Sequence, residues 1–129
     1  MPWSEIFVVF VVSHLTGDFL LQTNWQATHK RGGLGRRPTA RRALLAHIVT
    51  YTLAFVPALI WLATGIGAWA VGVGALIALP HLVQDDGRLL GAYMRTVKGV
   101  EPEPGPLAMA VDQSGHVLAL FLTALLAGS

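Results

Sequence analysis

Histidine and aspartate residues recur at helical spacing inside the most apolar parts of this sequence. Three pairs are four residues apart: His14 with Asp18, His81 with Asp85, and Asp112 with His116. On a helix, this spacing puts both side chains of a pair on one face. Imidazole and carboxylate groups without thiolates suit zinc, iron, manganese or nickel. We therefore predict a metal site built from these pairs and one further histidine: His14, Asp18, His47, His81, Asp85, Asp112 and His116.

The predicted site has more ligands than one tetrahedral ion needs. Its size fits one or two divalent transition ions (zinc, iron or manganese) with a bridging carboxylate and room for water. Four neighbours are predicted to orient the ligands from outside: Gln22, Tyr51, Asp86 and Gln113. Asp86 is also the alternative to Asp85 as a ligand, although helical spacing favours Asp85. Two other interpretations stay open, a proton or ion pathway and a metal-free structural polar network.

Four long apolar segments must position these residues. They cover about 6–21, 43–63, 66–83 and 107–127. Each approaches the roughly 17–25 residues that span a bilayer as a helix, and each is apolar on all sides. We predict an all-α, integral membrane four-helix bundle in a single transmembrane domain, 1–129. Its helices are predicted at about 5–25, 43–64, 66–86 and 107–127.

The composition agrees with this class. The 129 residues are 53% hydrophobic and 12% charged, whereas a soluble domain has about 25% charged residues. This excludes a disordered chain and an ordinary water-soluble domain. The absence of cysteine excludes a disulfide scaffold and a zinc–thiolate finger. The first segment has no basic flank and carries Glu5, so we expect it to be mature structure and not a cleaved signal peptide.

The basic residues indicate an orientation. All nine lysines and arginines lie in or beside the two long connections, about 22–42 and 85–106, and none lies at the termini or at Thr64-Gly65. Short loops rich in Lys and Arg stay cytoplasmic. We predict a multi-pass protein of the cytoplasmic (inner) membrane with both termini outside, and the prolines at 102–106 predict an extended second loop. The basic loops would face anionic lipid headgroups, so membrane lipids are expected partners and nucleic acid is not.

Four motifs in this order resemble one known family. They are His14-Leu-Thr-Gly-Asp18-Phe-Leu-Leu-Gln22, His47-xxx-Tyr51, His81-xxx-Asp85 and Asp112-Gln113-xx-His116. The set is similar to that of DUF3307, a family of small bacterial integral membrane proteins. The resemblance implies a compact membrane helical bundle, and it implies no activity. The family pattern has a lysine three residues after the third-helix aspartate, where this chain has Arg88.

The leading functional hypothesis is a membrane-embedded, metal-dependent enzyme. We expect a hydrolase that acts on a lipid-like or phosphate-bearing substrate, with Arg36, Arg37 and Arg88 at the headgroup or phosphate. The alternatives are a metal-ion or proton transporter or channel subunit, a di-iron-type membrane oxidase, and an accessory subunit with a structural site. A homo-oligomer is a further possible partner arrangement, since several copies could complete a pore.

Overall fold

The computed structural model describes Met1 to Ser129, and all of its regular structure is helical. In chain order the elements are α1 (Trp3–Leu15), a π-helical turn (Thr16–Leu20), α2 (Asn24–His29), α3 (Pro38–Ile66), α4 (Trp69–Asp86), α5 (Arg88–Thr96) and α6 (Pro106–Ala127). This confirms the predicted all-α class. Four long elements pack against one another, while α2 and α5 lie within the two long connections.

Three of the helical segments are long and apolar enough to cross a membrane: Trp3–Leu20, Pro38–Ile66 and Pro106–Ala127. They also expose large apolar side chains, among them Ile60 at 65% and Leu126 at 77%, as lipid-facing helices do. We predicted four such segments. The third, α4, is less apolar because its last two turns carry the charged and polar side chains of the predicted site.

Both termini and the α3–α4 turn meet at one end of the molecule. The backbone N–H of Ser129 donates to the carbonyl oxygen of Met1 at 3.1 Å, and a Cβ at Gly65 would lie 2.9 Å from the Met1 sulfur. The two long connections meet at the opposite end, where the Gly32 N–H donates to the Asp86 carbonyl oxygen at 2.8 Å. The basic residues therefore gather at the end away from the termini.

The structure extends the second long helix at both ends. It begins at Pro38 and not near residue 43, because proline is already set for the first helical position. Arg41 and Arg42 consequently lie in the first turns of α3 and not in a loop. The helix also continues past Thr64-Gly65, and the reversal falls at Gly67, whose φ of +61° is open to glycine.

The two long connections contain helices that we did not predict. The first long helix stops at Leu20 and not near residue 25, and α2 starts afresh from a reciprocal cap between Thr23 and Gln26, with both contacts at 3.1 Å. The second connection contains α5, which the prediction of an extended loop missed. The prolines at 102–106 follow the end of α5 at Thr96, so they do not interrupt it.

The apolar core fills the half of the molecule that lies toward the termini. All four long elements contribute to it: Ile6, Phe10, Tyr51, Phe55, Ala58, Leu62, Val73, Ile77, Leu120 and Ala124. Phe10 and Phe55 meet edge to face, with ring centroids 5.8 Å apart, an arrangement that favours both rings. Tyr51 marks the boundary of this core, because its ring packs on Phe55 and its hydroxyl reaches His14.

The π-helical turn brings the first long helix close to α3. The N–H of Leu21 donates to the carbonyl oxygen of Thr16, five residues earlier, at 2.9 Å. Within this turn, Gly17 lies directly against Tyr51. A Cβ at Gly17 would lie 2.7 Å from the Tyr51 Cδ2 atom and 3.2 Å from its Cα atom.

Replacement of Gly17 by alanine should therefore destabilise the protein. The added methyl group overlaps Tyr51, and overpacking of this kind costs about 1–3 kcal/mol. The matched control is Gly72→Ala in α4, where a Cβ meets no atom within 4 Å and where alanine should add up to about 1 kcal/mol of helix stability. Thermal unfolding in detergent, followed by circular dichroism, measures both. Equal midpoints for the two variants would contradict the close contact.

Candidate metal centre

The residues predicted as ligands converge on one buried cluster at the boundary of the apolar core. His14 and Asp18 come from the first long helix and its π turn, His47 from α3, His81 and Asp85 from α4, and Asp112 and His116 from α6. The least exposed is His47, at 0%. Asp112 lies at the edge, with 11% of its side chain exposed.

The inner group consists of four ligand atoms that nearly touch. The Nε2 atoms of His47 and His81 are 3.1 Å apart. Asp85 Oδ2 lies 2.8 Å from the first of these nitrogens and 2.9 Å from the second. Asp18 Oδ1 lies 3.0 and 3.2 Å from the same two atoms. Two imidazoles and two carboxylates from three segments thus point at one spot.

These separations fit a coordinated ion. Ligands about 2.0 Å from a tetrahedral ion are about 3.3 Å from one another, and those about 2.1 Å from an octahedral ion are about 3.0 Å apart. Asp18 Oδ1 is also buried without a hydrogen-bond partner, because its contacts to the two imidazoles lack hydrogen-bond geometry. Its lone pairs are therefore available to a cation.

Asp85 joins this inner group to a second one. Its Oδ2 belongs to the inner group, whereas its Oδ1 lies 3.0 Å from His116 Nε2. His116 Nδ1 lies 2.7 Å from the Asp112 carbonyl oxygen, which can only accept, so Nδ1 carries a hydrogen. A neutral His116 therefore turns a lone pair toward a carboxylate oxygen, and a cation or an additional proton between them is needed. Asp85, Asp112 and His116 form the second candidate metal group.

The two adjacent aspartates of α4 have different surroundings. Asp85 lies in the cluster, whereas Asp86 accepts from the Leu34 backbone N–H at 2.9 Å and pairs with Arg88 at 3.2 Å. Helical spacing favoured Asp85 as the ligand, and the structure places it accordingly. Asp86 contacts no imidazole, so it orients the first connection and not the predicted ligands.

His14 belongs to a hydrogen-bond chain beside the inner group. Gln113 donates its amide to Asp18 Oδ2 at 3.1 Å, so its carbonyl oxygen accepts from His14 Nε2 at 2.7 Å. His14 Nδ1 then accepts from the Tyr51 hydroxyl at 2.8 Å. This chain holds Asp18 in place. Because both ring nitrogens of His14 have partners here, its role as a ligand stays a prediction.

The other residues predicted to orient the ligands differ in whether they contact an imidazole. Tyr51 stacks on His81, with ring centroids 3.5 Å apart and an interplanar angle of 8°, which fixes that imidazole by packing. Gln22 donates to the Asp18 carbonyl oxygen at 3.1 Å and reaches no imidazole. The Nδ1 atoms of His47 and His81 are buried without partners. Of the three histidines in the two candidate metal groups, only His116 has the outer hydrogen bond that usually orients a metal-binding histidine.

Lys30 is a member of the cluster that the sequence analysis missed. Its ammonium group donates to Asp85 Oδ2 at 3.0 Å, and the side chain is only 8% exposed. We predicted it in a basic loop that would face lipid headgroups. The Thr23-x-x-Gln26 capping box is a signal for the start of α2, but the inward position of Lys30 depends on Asp85 of α4.

The charges of the cluster are not balanced by lysine or arginine alone. Three carboxylates, those of Asp18, Asp85 and Asp112, lie in or at its edge, and Lys30 is the one basic side chain that pairs with any of them. With neutral imidazoles, two negative charges remain. A divalent cation would balance them in an interior where an uncompensated charge is costly.

The arginines predicted at a headgroup lie outside this cluster. Arg36 and Arg37 are exposed and form no ion pair, whereas Arg88 pairs with Asp86. None of the three contacts a predicted metal ligand, and their role at a headgroup stays a prediction.

Comparison with known proteins identifies a family. Residues 6–128 match the family described as "Protein of unknown function (DUF3307)". Neither the curated proteins nor the solved structures that were compared contain a match. Since the match covers nearly the whole chain and includes every residue of the cluster, the protein belongs to the DUF3307 family.

Proposed function

We propose that the protein is a membrane-embedded, metal-dependent enzyme, and specifically a hydrolase acting on a lipid-like or phosphate-bearing substrate. The observation that supports this most is the convergence of His47 Nε2 and His81 Nε2, which lie 3.1 Å apart, with Asp18 Oδ1 and Asp85 Oδ2, each of which lies 2.8 to 3.2 Å from both nitrogens. These residues would hold one divalent ion. Asp85 would share its second oxygen with His116 and Asp112 at a second ion.

A bound ion of this kind supplies a Lewis acid and lowers the pKa of coordinated water. The surrounding residues would keep the site arranged for that chemistry. The chain from Tyr51 through His14 and Gln113 holds Asp18, and the Asp112 carbonyl oxygen fixes the ring of His116. The apolar core beyond Tyr51 limits the access of water from the side toward the termini.

Access to the site is favoured from the α5–α6 side. Asp112 lines a cavity of about 700 Å³ between these helices, together with Leu107, Val111 and Leu118. The walls are mainly apolar, so a substrate with an apolar portion would fit them. This is the reason for proposing a lipid-like substrate over a small polar one.

Conduction is a weaker candidate for this arrangement. Beyond the cluster, the space between the helices is filled by buried side chains such as Phe10, Phe55 and Leu62. A proton or ion pathway would need polar groups to continue through that half. Oxidation by a di-iron site would use the same ligands, and the metal identified by the experiment below would distinguish it.

We also propose that the chain crosses the cytoplasmic membrane four times with its basic end in the cytoplasm. The 18 residues of α4 form about 27 Å of helix, close to the roughly 30 Å of a bilayer core. The position of both termini beside the α3–α4 turn supports an even number of crossings. The nine basic residues at the other end support the orientation.

Metal content tests the proposed function. Purified protein should carry about one or two transition-metal ions per chain by elemental mass spectrometry. Asp18→Asn and His47→Ala should each lose most of this metal, because each removes an atom of the inner group. The matched control is His29→Ala, an exposed histidine in α2, which should retain it. A washed and metal-supplemented wild-type preparation without bound metal would refute the proposal.

Removal of the Lys30 charge should make the protein depend on metal for stability. Lys30→Met leaves the Asp85 carboxylate without its ammonium partner, and breaking a buried pair costs about 3–5 kcal/mol. The metal-free variant should therefore unfold at a lower temperature than the wild type, and added zinc or manganese should raise its midpoint more. Lys98→Met, at an exposed lysine, serves as the control. Identical midpoints for metal-free Lys30→Met and wild type would contradict the buried pair.

Single cysteines can test the orientation, since the chain has none of its own. A thiol introduced by Ala68→Cys, in the α3–α4 turn, should react with a membrane-impermeant maleimide in intact cells. A thiol introduced by Arg36→Cys should react only after permeabilisation. The reverse pattern would invert the proposed topology, and labelling of both from outside would exclude a crossing by α3.

A further inference from the structure

A cleft near the cluster is lined by three arginines that have no role in the site described above. Arg31 follows α2, while Arg88 and Arg95 lie two turns apart on α5. All three line one cavity of about 730 Å³. Two carboxylates line the cleft as well, Asp86 and Glu103, and a third, Glu101, pairs with Arg95.

The guanidinium groups retain free donors. Arg88 and Arg95 pair with Asp86 and Glu101 through their Nε atoms, at 3.2 and 3.3 Å. Each guanidinium carries five N–H donors, so the remaining ones on both side chains are available to a ligand. Arg31 forms no ion pair, and its side chain lies over the backbone at Gly87, immediately before α5.

Glycines shape the floor of this cleft. Gly87 has φ of +86°, and a Cβ there would lie 2.7 Å from Arg31 Cδ. The missing side chain is what lets Arg31 cross to the start of α5. Gly91, one turn further, also lines the cleft. The first turn of α5 has no capping side chain.

The apolar cavity between α5 and α6 lies on the other side of the same helix. Leu90 lines both the arginine cleft and this cavity. The cavity walls include exposed leucines such as Leu89 at 59% and Leu118 at 58%. The arginine-lined cleft and the apolar cavity are therefore adjacent, separated by the side chain of Leu90 on the short amphipathic helix α5.

We propose that the two cavities form one binding site for a lipid that bears a terminal phosphate monoester. The phosphate lies among Arg31, Arg88 and Arg95, and the chain lies along Leu89, Leu107 and Leu118. Several guanidinium groups suit phosphate because they match its oxygens with paired N–H donors. This inference deepens the proposed function and rests on it for the substrate role, because Asp112 connects the apolar cavity to the candidate metal centre. It also moves the phosphate contact away from Arg36 and Arg37.

Binding can be measured without catalysis. The full chain, in nanodiscs of dioleoyl phosphatidylcholine with EDTA present, is titrated with dioleoyl phosphatidic acid. Inorganic phosphate and dioleoylglycerol are titrated in parallel, because each carries only one half of the proposed ligand. We expect saturable binding of the phosphatidic acid, and binding of the other two probes that is at least about tenfold weaker.

Matched variants locate the two halves. Arg31→Gln and Arg95→Gln should each weaken binding about tenfold or more, as expected for loss of a charge-assisted contact. Arg37→Gln should change it by less than about twofold. Ala110→Trp fills the apolar cavity from an exposed position and should also weaken binding, whereas Met109→Trp, outside that cavity, should not. Thermal midpoints show whether each variant is folded.

The remaining outcomes overturn the inference. Equal binding of inorganic phosphate, unaffected by Ala110→Trp, would make this a phosphate site without a lipid chain. Equal losses in Arg31→Gln and Arg37→Gln would indicate diffuse attraction to the basic end. Metal content, measured separately, decides the proposed function, so a chain that holds metal but does not bind the phosphatidic acid would refute this inference alone.

Discussion

Asp85 is surrounded by nitrogen atoms from four different parts of the chain. Lys30 follows α2, His47 comes from α3, His81 from its own helix and His116 from α6, and each lies within 3.0 Å of one carboxylate oxygen. Transfer of a carboxylate from water to such a buried position costs several kcal/mol. The group is therefore tolerated only while these elements keep their positions, and this requirement fixes the polar half of the molecule.

The two halves of the molecule are held together by different interactions. Toward the termini, aromatic and aliphatic side chains interlock, and the hydroxyl of the buried Thr123 donates to the Ala119 carbonyl oxygen of its own helix. Toward the basic end, the first connection is tied to the end of α4, with the N–H groups of Gly32 and Leu34 donating to Asp86. The cluster lies between these regions, supported by packing on one side and by hydrogen bonds on the other.

The sequence predicted the residues of the cluster better than their individual contacts. Spacing of four residues puts a histidine and an aspartate on one helix face whatever the tertiary structure, so the pairing of His81 with Asp85 on α4 followed from local rules. The contacts of His14 did not, because they depend on where Gln113 and Tyr51 arrive from two other helices. Lys30 was missed for the same kind of reason.

The chain between the long helices was the least predictable part. Prolines at 102–106 suggested a loop, yet α5 ends before them, and its apolar and basic faces become meaningful only beside α6 and Arg31. Likewise, the number of apolar segments did not distinguish α4 from the others, although its polar end leaves it outside the three segments that are apolar enough to cross a membrane. The role of α5 and the polar end of α4 depend on contacts with other elements, which a local sequence pattern does not predict.

The π-helical turn at Thr16–Leu20 rotates the residues that follow it relative to those of α1, within one continuous helical segment. It accommodates one residue more than an α-helical turn would, and each residue of an α-helix corresponds to about 100° of rotation. The side that Ile6 and Phe10 present to the core and the side on which Asp18 lies are therefore set separately. With one residue fewer in this turn, the first long helix could not both bury Phe10 in the core and direct the carboxylate of Asp18 to the ligand group.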